Sequence, residues 1–184
     1  MPDVIALCGS YRSKSLNRKL LRLAVREVEQ LGLSVEQVDL KTLALPVYDG
    51  DVEESSGIPQ NAVELKAKIS TTPGLLIVSP EYNGSIPGGL KNFIDWLSRP
   101  PGNCFAGRVV SINNASDGAF GGARSTIAIK QSLTHLGCWI VPGAMNLPRA
   151  DKAFDDSGEL TEAWMKKALA GAMKTFVDGV KRFR

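Results

Sequence analysis

Apolar residues along this chain fall into short unbroken runs that alternate with helical stripes. The run Val4–Cys8 has no polar position, reads as a strand buried on both faces, and ends at Gly9. Leu16, Leu20, Ala24, Val28 and Leu31 then recur at helical spacing, and Gly32 closes that helix. Residues 33–40 give a second strand, and a long polar stretch from about 41 to 59 follows. Ala62, Leu65 and Ile69 mark a second helix that stops near Pro73-Gly74. Residues 75–78 form a third strand and 90–97 open a third helix. Residues 109–112 form a fourth strand, 127–136 a fourth helix and 139–141 a short fifth strand. From about residue 160, Leu160, Trp164, Ala168, Ala172, Phe176 and Val180 trace a final amphipathic helix.

Strict alternation of buried strands and helices predicts an α/β fold, a parallel sheet with helices on both faces. Five strands in 184 residues favour the flavodoxin-like three-layer α/β/α sandwich, order 2-1-3-4-5, over the six-stranded dinucleotide fold. No repeat, linker or low-complexity tract interrupts the chain, so residues 1–184 are expected to form one domain. In this order strands one, three and four are neighbours, and the loops leaving their carboxyl ends converge.

Composition narrows the function by exclusion. A 43% hydrophobic and 22% charged chain is an ordinary soluble one. The net charge of +3 is spread out, with no Lys/Arg run for nucleic acid or a membrane surface. No apolar run reaches membrane-spanning length, and Asp3 with the brief run after it does not make a signal peptide, so a cytoplasmic location is expected. Cys8, Cys104 and Cys138 form no C-x-x-C pair or disulfide framework. His135 is the only histidine; with one His and no nearby ligand set, it reads as structural or surface, and no metal site is expected. Asp49-Gly50-Asp51-Val52-Glu53-Glu54 lacks the glycine and bidentate glutamate of a calcium loop and reads as a solvated loop.

Three loops carry the candidate chemistry. The first, Gly9-Ser10-Tyr11-Arg12-Ser13-Lys14-Ser15-Leu16-Asn17-Arg18, sets hydroxyls, an amide and cations at a helix N-terminus, where unpaired N–H groups and the helix dipole favour a phosphate. It has neither the G-x-G-x-x-G fingerprint nor P-loop spacing, and Ser15 as a plain helix cap is the alternative. The second runs from Ser79 through Pro80-Glu81-Tyr82-Asn83-Gly84-Ser85-Ile86-Pro87 to Gly88-Gly89. It is longer than a connector of about two to six residues, and prolines stiffen it. Its backbone, Asn83 and Ser85 suit the edge of a planar heterocycle and Tyr82 its face; a rigid turn is the alternative. The third, residues 114–124, places Ser116 and Gly118 ahead of Gly121-Gly122; a flexible surface loop is the alternative.

Gly9-Ser10-x-Arg12-x-x-Ser15-x-Asn17, paired with Pro80-Glu81-Tyr82-Asn83-Gly84-Ser85-x-Pro87-Gly88-x-Leu90-Lys91-Asn92-x-Ile94-Asp95-Trp96, resembles the NAD(P)H-dependent FMN reductase family, which includes quinone, azo-dye and chromate reductases. Ser116-x-Gly118-x-x-Gly121-Gly122 also fits, and the similarity runs from Val4 to about Leu147. The resemblance implies FMN as cofactor, its phosphate held by Ser10, Arg12, Ser15 and Asn17 with Leu16 alongside. It implies an isoalloxazine ring lined by Pro80, Glu81, Tyr82, Asn83, Gly84 and Ser85, mostly through backbone, with Ser116 and Gly118 at the other edge.

The implied activity is hydride transfer from NAD(P)H through FMN to a quinone or similar small acceptor by a ping-pong route, with no catalytic side chain named. Pro46, Val47 and Tyr48 are expected to wall the substrate pocket. Residues 90–97 carry an apolar arc wider than one sheet-facing stripe, which suggests a two-fold dimer surface. Family members assemble as homodimers and some as homotetramers. A flavodoxin-like electron carrier and a flavin-binding regulator without turnover are the alternatives. The positive net charge speaks against the carrier, because flavodoxins are strongly acidic.

Overall fold

A computed structural model, which describes residues 1–99 and 101–183, shows the expected alternation. Strand β1 (Val4–Cys8) leads into α1 (Leu16–Gln30), β2 (Val35–Val38), α2 (Gly50–Ser56) and α3 (Gln60–Thr71). Next come β3 (Gly74–Ser79), α4 (Gly88–Leu97), β4 (Val109–Ala115) and α5 (Ala123–His135). The chain ends with β5 (Trp139–Ile140), β6 (Asn146–Leu147) and the long α6 (Ala163–Arg182). The sheet is parallel throughout and its order is β2-β1-β3-β4-β5, as the sequence predicts.

The central strands are apolar at nearly every position because both sheet faces are covered. Val4, Ala6, Leu76 and Val78 pack with α1 and α6, whereas Ile5, Leu7, Leu75, Ile77 and Ile112 pack with α3, α4 and α5. Strand β2 is shorter than the expected 33–40 because it lies at the sheet edge, half covered. Helix α2 lies within the polar stretch that was expected to be a loop. Asp49 caps it by accepting from Asp51 N at 2.9 Å, and it buries no residue, so no apolar stripe marks it.

Strand β4 runs past 112 through two buried asparagines that look like loop residues in sequence. Asn113 donates to Ser111 Oγ (2.9 Å) and accepts from Met145 N (3.0 Å), and Asn114 donates to Ser79 O (2.6 Å). These bonds supply the partners that buried amides need. The fifth strand is interrupted. β5 pairs with Val109 and Val110, β6 with Asn114 and Ala115, and Pro142 and Gly143 (φ 83°) break the line between them.

The apolar arc of α4 does not face outward. Leu90, Phe93, Ile94, Trp96 and Leu97 are all buried within this one chain. The segment before α2 covers them: Trp96 Nε1 donates to Pro46 O at 2.8 Å, and the Tyr48 ring meets Trp96 edge-on at 5.1 Å. The arc therefore offers no exposed face to a second copy. His135 is exposed at the end of α5, and the three cysteines are buried and free. Among the described residues, no helix is long and apolar enough to cross a membrane, and no group of three His, Cys, Asp or Glu is placed to hold a metal.

Candidate functional site

The loops after β1, β3 and β4 meet past the carboxyl ends of their strands and enclose a cavity of about 410 Å³. Ser10, Arg12, Lys14, Ser15, Leu16 and Asn17 line it from the first loop. Pro80, Glu81 and Tyr82 line it from the second, and Ala115, Ser116 and Asp117 from the third. Asp151 completes the wall from a single 3-10 turn, Ala150–Lys152.

The first loop gathers hydroxyls and cations at the start of α1. Ser15 caps α1, its Oγ accepting from Asn17 N at 3.2 Å, and the buried Ser10 Oγ accepts from Arg12 N at 3.4 Å. The Ser10 hydroxyl proton remains for a guest, whereas the Ser15 hydroxyl also meets the Cys8 thiol. Arg12 and Lys14 are exposed and, among the described residues, carry no ion pair. Arg18 is different: its guanidinium forks onto Asp39 at 3.1 and 3.0 Å, which holds the Asp39 carboxyl below its ordinary range. Arg18 is thus spent on fastening α1 to the segment after β2. Burial pushes the Cys8 thiol up from its ordinary range.

Asn17 does more than line the cavity. Its Nδ2 donates to Ala115 O and its Oδ1 accepts from Ala115 N, both at 2.8 Å, so one amide splints the start of α1 to the end of β4. One amide proton is left for a guest.

In the second loop, Tyr82 and Ser85 exchange backbone hydrogen bonds at 3.2 and 3.0 Å around Asn83 (φ 51°) and Gly84 (φ 73°). Two left-handed residues in sequence make the tight hairpin turn that Asn-Gly favours. Asn83, Gly84 and Ser85 form this turn, which follows directly on Tyr82 in the cavity wall. Glu81 turns away to α5, where its carboxylate accepts from Arg124 N (2.9 Å), Ser125 N (3.3 Å) and Arg124 Nη1 (3.1 Å). It supplies the cap that Gly122, at the N-cap of α5, cannot.

In the third loop, Ser116 lines the cavity but Gly118 does not. The Gly118 N–H donates to Ser116 Oγ at 3.2 Å and its carbonyl accepts from Arg149 N, also at 3.2 Å. Pro46, Val47 and Tyr48 lie outside this cavity; the Tyr48 hydroxyl is occupied by Glu53 (2.9 Å) and Arg99 (3.2 Å). Ala115, Asp117 and Asp151 line the cavity although sequence reasoning did not single them out, and Lys14 lines it as one of the cations of the first loop. Lys14 and Asp117 lie inside loops already marked, but Asp151 comes from a segment with no periodic signal and is brought in by the Arg149 N to Gly118 O contact.

Residues 2–152 match the sequence family described as NADPH-dependent FMN reductase. A quinone reductase of Escherichia coli is 35% identical over 99% of this chain and 97% of its own length. An NAD(P)H-dependent FMN reductase of Pseudomonas aeruginosa is 34% identical over 98% of this chain and 96% of its own. Among solved structures, the flavoenzyme NAD(P)H:acceptor oxidoreductase FerB of Paracoccus denitrificans superposes with a TM-score of 0.83 at 30% identity, covering 99% of this chain and 98% of that one. With the sheet order, the three converging loops and matches along nearly its whole length, the chain belongs to the NADPH-dependent FMN reductase family.

Proposed function

We propose that this chain is an FMN-dependent oxidoreductase that takes electrons from NAD(P)H and passes them to quinones. The cavity carries the reading. It sets two serine hydroxyls, two exposed cations and the N-terminus of α1 at one end, and the Pro80–Tyr82 backbone with the half-exposed Tyr82 ring at the other. The donor set suits a phosphate dianion, and Asp117 and Asp151 offer acceptors for hydroxyls on a chain leading from it. About 410 Å³ falls in the range of small-molecule and cofactor sites. FMN therefore fits the residues present, with Ser10, Arg12, Lys14 and Ser15 at its phosphate and Pro80, Glu81, Tyr82 and Ser116 at its ring system.

FMN, when bound, supplies the two-electron redox centre that no side chain here provides. The chain binds and orients. Ser10 and Ser15 donate to phosphate oxygens, Arg12 and Lys14 balance its charge, and the Glu81 cap and Asn17 splint hold the three loops in register. Donor and acceptor occupy the same open side in turn, so initial-rate plots at several fixed quinone concentrations should be parallel. Azo dyes and chromate are further acceptors consistent with the family. Assembly as homodimers or homotetramers rests on the resemblance alone, now that the α4 arc is accounted for within one chain; light scattering decides it.

The direct test mixes purified protein, FMN and NADPH under nitrogen and then adds a naphthoquinone. Bleaching of the flavin band followed by its return with quinone supports the reading. Neither event occurring would refute it.

A further inference from the structure

We propose that Arg124 reads the 2′-phosphate of NADPH and so sets the preference between the two nicotinamide donors. The inference rests on the reading of the cavity as a site served by a nicotinamide donor. NADPH differs from NADH by one phosphate monoester, so a protein that separates them needs a cation with unused N–H groups outside the FMN phosphate cradle. Arg12 and Lys14 belong to that cradle, Arg18 is forked onto Asp39, and Lys91 is paired with Asp95 at 2.7 Å.

Arg124 meets the requirement and is held in place for it. Its Nη1 donates to Glu81 Oε1 at 3.1 Å, its guanidinium carbon lies 5.1 Å from the centre of the Phe120 ring, and its Cδ lies against the Asn83–Gly84 turn. That turn leads back to Tyr82 in the cavity wall. The Arg124 side chain is still 59% exposed, while Glu81 beneath it is only 14% exposed. The Nε and Nη2 protons have no partner among the described residues. The carboxylate is shared with the N-terminus of α5, so it offsets only part of the guanidinium charge. A planar fork fixed by a carboxylate and an aromatic face, with its free edge toward solvent beside the cavity, matches a phosphate monoester. Phe120, 66% exposed on the same rim, offers its ring beside the fork.

The test uses FMN-loaded protein and two binding probes, adenosine 2′,5′-bisphosphate and AMP, in calorimetric titrations. Wild type should bind the bisphosphate about tenfold more tightly than AMP, the size of one charge-assisted hydrogen bond at an exposed site. Arg124→Met should bring that ratio close to one and raise the KM for NADPH about tenfold, with that for NADH within about twofold. Arg124→Lys keeps the cation but loses the fork, and should leave a ratio in between; it decides the matter if the methionine variant does not fold. Arg149 is the nearby exposed alternative, in left-handed backbone (φ 47°), and Arg149→Asn should leave the ratio unchanged.

A wild-type ratio of one, an unchanged ratio in both Arg124 variants, a ratio lost in Arg149→Asn instead, or an equal loss for both donors would each overturn the assignment. Selective bisphosphate binding without oxidation of either nicotinamide would refute the proposed function while sustaining the role of Arg124.

Discussion

Replacing Asn17 by alanine separates two roles for that residue: holding a ligand and holding the protein together. The side chain makes two buried hydrogen bonds of 2.8 Å to the backbone of Ala115 and is 3% exposed. Each bond contributes roughly 0.5–1.5 kcal/mol net, and each Ala115 group left without a partner costs about 1–3 kcal/mol. Because Asn17 lines the cavity, water can reach part of the gap, which places the loss near the low end, about 3 kcal/mol. That is a large share of the roughly 5–15 kcal/mol by which domains are stable. Urea unfolding of the FMN-free protein, followed by far-UV circular dichroism, is the assay. With a urea m-value of about 2 kcal/mol/M, the midpoint should fall by roughly 1.5 M with the slope unchanged. Asn17→Asp should also lose stability, since a carboxylate oxygen would replace the amide N–H against Ala115 O. If the cofactor-free Asn17→Ala protein unfolds within about 0.3 M urea of wild type, the splint reasoning is wrong and Asn17 acts only on the ligand.

Other variants probe other parts of the frame. Trp96→Phe removes the bond to Pro46 O and should destabilise by about 1–3 kcal/mol while exposing the segment before α2 to protease, both measurable by melting and limited trypsin digestion. Gly89→Ala would set a Cβ 2.6 Å from the tip of the half-exposed Tyr11 ring, which can swing into solvent, so the melting temperature should stay within about 2 °C of wild type; a larger fall would show that Tyr11 is pinned there. Asp39 has a lowered folded pKa through Arg18, so its contribution is present above the unfolded value near 4 and is lost as pH falls through the folded one. Asp39→Asn should accordingly flatten the acid limb of the stability curve below about pH 5 and leave the alkaline limb as it is. Burial pushes the thiols of Cys104 up to about 11 and Cys138 up to about 12, so neither should react with a disulfide reagent at pH 8 until the protein unfolds; prompt native-state labelling would contradict their burial.

What was legible in sequence follows from which signals are local. The unbroken runs at Val4–Cys8 and 75–78 reveal doubly covered strands because every position must be apolar there, and the count of five strands alternating with helices points to the sheet order. That Ser10, Arg12 and Ser15 line one cavity is legible because they are neighbours in sequence around a helix start. The extension of β4 through Asn113 and Asn114 is not, because its stability comes from partners at Met145 and Ser79 that only the folded chain supplies. Glu81 belongs to the same class. Its motif marks a ligand loop, but its carboxylate works on α5, over forty positions away. The width of the α4 arc was real, yet its cover was the unpatterned segment at Pro46 and Tyr48 rather than a second chain. The positive φ angles of Asn83 and Gly84 are legible too, since Asn-Gly favours the tight hairpin turn that they form.

The claim that Ser10, Arg12, Lys14 and Ser15 form a phosphate cradle in a flavin site is tested most directly by comparing FMN with riboflavin, which lacks the phosphate. In a flavin-fluorescence titration of the cofactor-free protein, FMN should bind at least about a hundredfold more tightly than riboflavin, the worth of one to two charge-assisted hydrogen bonds. Equal affinities for the two flavins, or no quenching by FMN, would contradict it.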